Sequence, residues 1–155
     1  MRKAWEIENF LEVKNNQLYI DGVAAVDLAE KYETPLFVFS ESRIRQNIER
    51  LKRAGESIDC RLKVCYAAKA NSNAEILKVI LAAGSDIEVN SGGELLMALE
   101  AGFSGGQIIF NGSAKTEKEI AEAIEAEIYA IQADSFFEVE LIEKVSKNLK
   151  KRANV

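Results

Sequence analysis

Not one of the 155 residues is a histidine. That absence rules out a Ser-His-Asp triad, a Cys-His pair or a histidine-ligated metal centre completed within the chain. Chemistry here must rest on lysine, on carboxylates or on a bound cofactor, and no metal site is expected. Cysteine is almost as scarce. Cys60 and Cys65 are too few for a disulfide framework and too far apart for a CxxC motif, so both read as reduced structural thiols behaving as small hydrophobes. Positive charge is not in excess either: a formal net charge of −5 and a pI near 5.0 give no general attraction to nucleic acid or to an anionic membrane surface. Long apolar runs are missing. The opening MRKAWEIENFLEVKNNQLYI interleaves charged and apolar residues, so no signal-peptide core and no membrane span is expected, and the default compartment is the cytoplasm.

What remains is an ordinary globular composition, 48% hydrophobic and 29% charged, enough to bury a sizeable core. From Pro35 onward, short apolar runs alternate with helix-period segments, the pattern of parallel α/β units. Strands are predicted at Pro35–Phe39, Leu62–Ala68, Asp86–Val89, Gln107–Asn111 and Ile128–Ala133. Helices are predicted at Glu41–Ala54, Asn73–Ala83, Gly92–Ala101, Glu117–Ala126 and Phe136–Lys150. In the first of these helices Ile44, Ile48 and Leu51 form one apolar stripe. Four helices open with S/T-x-x-E, at Ser72/Glu75, Ser91/Glu94, Thr116/Glu119 and Ser135/Glu138, the capping-box spacing in which hydroxyl and carboxylate satisfy free N–H groups reciprocally. Glu94 therefore reads as structural rather than catalytic. Gly84 and Gly102 sit where helices two and three should close. Periodicity alone leaves an open doubly wound sheet and a barrel both in play. Neither a GxxxxGK[ST] nor a strand-borne GxGxxG appears. Gly92-Gly93, at a strand-to-helix junction, suits an anion-binding turn or simple chain reversal, and the second is the commoner use.

The segment Arg61 to Asn71, RLKVCYAAKAN, is a strand that runs into a lysine at its carboxyl end. Period-two alternation puts Cys65, Ala67 and Lys69 on one face, with small residues next to the lysine. In a β/α barrel the carboxyl ends of the strands form the active-site rim, so an inward-facing lysine there is placed to reach a bound aldehyde. An amine whose proton is lost through desolvation or a neighbouring cation can form an imine. Taken alone, a lysine at a strand end is more often a solvated charge. Lys63 shares the face but lies about 20 Å away at roughly 3.3 Å per residue.

Three spaced motifs decide between these readings. Tyr66-Ala67-Ala68-Lys69-Ala70-Asn71, then Ile87-Glu88-Val89-Asn90-Ser91-Gly92-Gly93-Glu94-Leu95, then Ala101-Gly102-Phe103 resemble the amino-terminal half of the diaminopimelate decarboxylase family, within the fold-type III decarboxylases. Leu18–Val23 and Thr34–Phe39 resemble its opening segment. The resemblance implies pyridoxal 5'-phosphate as cofactor, Lys69 as the lysine that carries it, and Glu88, where the family commonly has Asp, as a second residue near it. It implies a partial (β/α)8 TIM-type barrel of about four strands. Residues 1–39 then belong with an accessory β domain, and residues 40–155 form the first half of an alanine-racemase-like cofactor barrel. A whole barrel takes eight units in about 250 residues, so a fragment or split-gene product is expected, by itself inactive, with the active site completed in a homodimer of the longer enzyme. The implied reaction is decarboxylation of meso-diaminopimelate to lysine, a step of lysine biosynthesis with a small amino acid as substrate. The alternatives are an ornithine, arginine or lysine decarboxylase, an amino-acid racemase and an inactive cofactor-binding fragment. The family's Gly-Asn-rich turn before a lysine stands here as Asn111-Gly112-Ser113-Ala114-Lys115.

Overall fold

The computed structural model describes Ile7, residues 10–57, Cys60 and residues 62–155. Arg61, at the start of the predicted lysine strand, and residues 1–6, 8 and 9 of the predicted first domain lie outside the described residues. The chain divides into two units, Met1–Asn47 and Ile48–Val155.

In the first unit, Asn15 and Asn16 both take positive φ, 51° and 60°, as a two-residue hairpin turn requires and asparagine tolerates. They join the antiparallel strands β1 (Leu11–Lys14) and β2 (Gln17–Ile20), and β3 (Val23–Ala24) adds to the free edge of β2. Helix α1 (Ala25–Tyr32) follows directly. The strand predicted at Pro35–Phe39 does not form. No neighbour pairs with its backbone among the described residues, and its apolar side chains are exposed, Phe37 to 89%. An apolar run becomes a strand only when a ladder takes up its N–H and C=O groups. Ser40 caps α2 (Glu41–Ser57): its Oγ accepts from the Arg43 amide, while Asp21 accepts the hydroxyls of Ser40 and Ser42. The expected stripe on α2 is only partly buried. Ile48 is enclosed, but Leu51 stays 52% exposed.

In the second unit four strands hydrogen-bond side by side in chain order, all parallel: β4 (Cys65–Ala67), β5 (Asp86–Val89), β6 (Ile108–Phe110) and β7 (Ala130–Ile131). The crossovers are α3 (Ala74–Ala82), α4 (Gly92–Glu100) and α5 (Glu117–Glu125), and α6 (Phe136–Leu149) follows β7. The order never reverses, which distinguishes this sheet from a doubly wound one. Register and burial show which face the helices cover. Ile87, Val89, Ile108, Phe110 and Ile131 are fully enclosed, together with Leu77 and Ile80 of α3, Leu95 and Ala98 of α4, Ile120 and Ile124 of α5, and Ile142 of α6. The opposite face, carrying Cys65, Ala67, Asp86, Glu88, Ile109 and Ala130, is only half-buried. One covered face and one open inner face is the arrangement of a partial TIM-type barrel.

The helices close as expected, with Gly84 at φ 72° and Gly102 at φ 102°. Their opening differs from the capping-box pattern. Of the four predicted pairs, only Thr116/Glu119 closes reciprocally. At α3 the cap is Asn73, whose side chain accepts from the Glu75 amide, rather than Ser72. Ser91 and Ser135 do cap α4 and α6. Their partner glutamates, however, bond the residue before the cap: Glu94 takes the Asn90 amide at 2.8 Å and Glu138 the Asp134 amide at 3.1 Å. A carboxylate reaches either amide, and the turn entering the helix decides which one faces it. Removing that acceptor in Glu94→Ala should lower stability by about 1 kcal/mol in a denaturant titration.

Candidate active site

Parallel strands end together, so the loops leaving β4, β5, β6 and β7 share one edge of the sheet. Lys69 lies there. It is not in the strand: β4 ends at Ala67, and Ala68–Ala70 form a single 3-10 turn. The alternation that put Lys69 on the face of Cys65 and Ala67 therefore stops two residues short of it. The turn buries Ala68 and leaves Lys69 exposed at the sheet edge. Tyr66 secures the turn's far side through a 3.1 Å hydrogen bond from its hydroxyl to the Asn71 carbonyl, and burial holds its phenol above the ordinary range. The Lys69 amine has no hydrogen-bond or ion-pair partner among the described residues.

The other two lysines near the sheet are occupied. Lys63, at the amino ends of the strands, pairs with Asp86 and lies 4.2 Å from the centre of the Tyr129 ring. Lys115, in the loop leaving β6, is buried in an ion pair with Glu138 at 2.9 Å. Lys69 is thus the amine left accessible at the carboxyl edge.

Glu88 stands on the half-open face, its backbone in register with Ala67 of β4 and Ile109 of β6. Its Oε1 accepts from the Asn90 side-chain amide at 2.8 Å, which orients the carboxylate from the loop immediately after its own strand. Cys65, lower on the same face, is a free thiol whose pKa is raised by burial and by Asp86 and Glu88, against the opposing pull of Lys63. Cys60 is also free, so both thiols are unpaired as expected, but Cys60 is exposed and Cys65 only half-buried.

The loops are fastened to one another by glutamates from the following helix. Glu119 Oε1 accepts the Gly92 amide at 2.8 Å, so this N–H, which an anion would need, is already satisfied. Glu119 also takes the Thr116 amide, and these two backbone hydrogen bonds hold its carboxyl below the usual range. A depressed folded pKa contributes stability above the unfolded value and loses it as pH falls through the folded one. The melting-temperature gap between the parent protein and Glu119→Gln should therefore be full at neutral pH and shrink in acid below the ordinary glutamate range. Glu138 does the same one strand–helix pair further on, taking the Lys115 amide at 3.2 Å. Neither link between loops was predicted. A glutamate three residues after a cap signals a local box, and nothing local to it encodes a second acceptance from another loop.

An amine standing free at an open, half-polar sheet edge among small side chains (Ala67, Ala68, Ala70) suits covalent capture of an aldehyde cofactor, and a carboxylate oriented on the same face suits a polar group of that cofactor. The described residues include no cluster of metal-ligating side chains and no helix long and apolar enough to cross a membrane.

Comparison with known proteins points the same way. Residues 42–155 match the family model described as the pyridoxal-binding domain of pyridoxal-dependent decarboxylases. A diaminopimelate decarboxylase from Methanocaldococcus jannaschii is 42% identical over 94% of this chain and 34% of its own, and one from Aquifex aeolicus is 33% identical over 97% and 35%. The M. jannaschii enzyme solved in co-complex with L-lysine superposes with a TM-score of 0.86 at 41% identity, over 95% of this chain and 35% of that one. The chain spans about a third of the length of the curated relatives it matches.

Proposed function

The chain belongs to the pyridoxal-dependent decarboxylase family, and we propose that it supplies the cofactor-lysine portion of an enzyme that decarboxylates meso-diaminopimelate to lysine, with Lys69 as the lysine that holds pyridoxal phosphate. The observation that carries this reading is the free Lys69 amine at the carboxyl edge of the parallel sheet, whereas Lys63, at the amino ends of the strands, and Lys115, in the β6 exit loop, are both tied into ion pairs. The diaminopimelate decarboxylases among the relatives, and the L-lysine in one solved structure, support the substrate and product.

The residues divide the work. Lys69 would hold the cofactor through its Nζ, and the same amine, free at the sheet edge, would be placed to hold a proton and return it. The Ala68–Ala70 turn and the Tyr66 hydrogen bond keep that amine at the rim. Glu88, held by Asn90, presents a fixed carboxylate on the open face toward a polar group of the cofactor. Bound, pyridoxal phosphate supplies an electron sink for the pair left behind when carbon dioxide departs. Residues 1–39 belong, in this reading, with an accessory β domain, residues 40–155 with the cofactor barrel, and the enzyme works as a cytoplasmic homodimer.

Borohydride treatment of the holoenzyme followed by peptide mapping tests the assignment. The reduced cofactor should sit on the peptide containing Lys69, and incubation with meso-diaminopimelate should release carbon dioxide and L-lysine. An adduct on Lys63 or Lys115 overturns the site; isomerised substrate without carbon dioxide makes the protein a racemase.

A further inference from the structure

Lys115 and Glu138 take no part in the chemistry above, yet both are withdrawn from water, with side-chain exposures of 1% and 4%. Two well-packed apolar side chains commonly hold a fold as well as such a pair or better. Its hydrogen bonds point to a different use. Lys115 Nζ donates to the Gly112 carbonyl in the loop leaving β6, to the Gln132 carbonyl in the loop leaving β7 at 2.7 Å, and to Glu138 Oε2. Glu138 in turn accepts the backbone amides of Lys115 and Asp134. One pair therefore pins two neighbouring loops at the sheet edge that carries Lys69.

The pinned β6 loop lies against the β5 exit loop. Gly112, at φ 92°, comes so close that a Cβ there would lie 2.7 Å from the Asn90 carbonyl oxygen. Asn90 is the residue whose side chain orients Glu88 at 2.8 Å. An unbroken series of contacts thus runs from the buried pair through Gly112 and Asn90 to the carboxylate on the open face. We propose that Lys115 and Glu138 are positioning residues, which set the β6 exit loop against Asn90 and thereby fix Glu88 and the shape of the cofactor-binding edge. This inference rests on the open face being the cofactor face.

The double variant Lys115→Met/Glu138→Leu tests it in the full-length protein, because it removes both charges together and leaves neither buried alone. Pyridoxal phosphate affinity is measured by equilibrium dialysis, and hydrogen exchange is followed in the cofactor-free protein at the Asn90 and Asn111 amides, which the pair does not itself bond. The expected result is a cooperative melt, at least tenfold weaker cofactor binding and at least tenfold faster exchange at both amides. A folded double variant with parental affinity and parental exchange overturns the proposal. Should that variant not fold, Glu138→Gln, which keeps one acceptor oxygen, takes its place, and parental affinity and exchange there overturn the proposal equally. A parent protein that takes up no pyridoxal phosphate overturns the proposed function instead, a result distinct from equal binding by parent and variant.

Discussion

Replacing Lys69 by alanine should abolish both the borohydride-trapped adduct and decarboxylation while leaving the melting temperature within a few degrees of the parent. The fold should tolerate the change because Lys69 is exposed, lies in a single 3-10 turn after β4 and its side chain makes no hydrogen bond or ion pair among the described residues. The activity should not survive it. Loss of a positioned proton-transfer group alone lowers a rate by about 10²–10⁴-fold, and here the covalent anchor disappears with it. Lys63 is no substitute, being engaged by Asp86 and Tyr129 at the opposite end of the strands, and neither is Lys115, enclosed by Glu138 and two carbonyls. Residual pyridoxal phosphate binding by non-covalent contacts is compatible with the assignment. Turnover in Lys69→Ala within tenfold of the parent would show that another group does the work.

Replacing Glu138 alone should be the most damaging single change to stability outside the apolar core. Glu138→Ala strands the Lys115 ammonium in a site shielded from water and removes the acceptor for two backbone amides. Leaving one member of a buried pair unpartnered costs about 3–5 kcal/mol, read as a lower denaturation midpoint at unchanged slope. The carboxyl is held below its usual range: burial pushes it up, but the hydrogen bonds from the Lys115 ammonium and from the Asp134 and Lys115 amides outweigh that push. Its stabilisation is therefore present above the unfolded pKa and is lost in acid as pH falls through the folded one, so Glu138→Ala and the parent should converge in stability at low pH. A loss below about 1 kcal/mol at neutral pH would mean that the pair is solvated in solution.

Element type and order were legible because they depend on neighbours a few residues apart. The β5 prediction matches Asp86–Val89 end for end, and the predicted α4, α5 and α6 are each one residue longer than observed. The shortened strands have one cause. Leu62–Val64 and Ile128–Tyr129 carry strand-like residues, but only where the paired register of the parallel ladder reaches do they become strand, which confines β4 to Cys65–Ala67 and β7 to Ala130–Ile131. Pro35–Phe39 shows the same limit, an uninterrupted apolar run with no ladder to join among the described residues.

The sequence by itself determined the succession of strand and helix, the glycines at helix ends and the lysine worth testing, since periodicity, capping chemistry and the Tyr66–Asn71 motif are all written within one turn or one strand. Tertiary structure decided the rest. Only the register of β4 to β7 puts Glu88 level with Ala67, brings Glu119 to Gly92 and Glu138 to Lys115 across 27 and 23 residues of chain, and separates a free Lys69 from a buried Lys115. A carboxylate bonds whichever donor the packed backbone sets before it, and that choice is made by the sheet, where strands distant in sequence become neighbours.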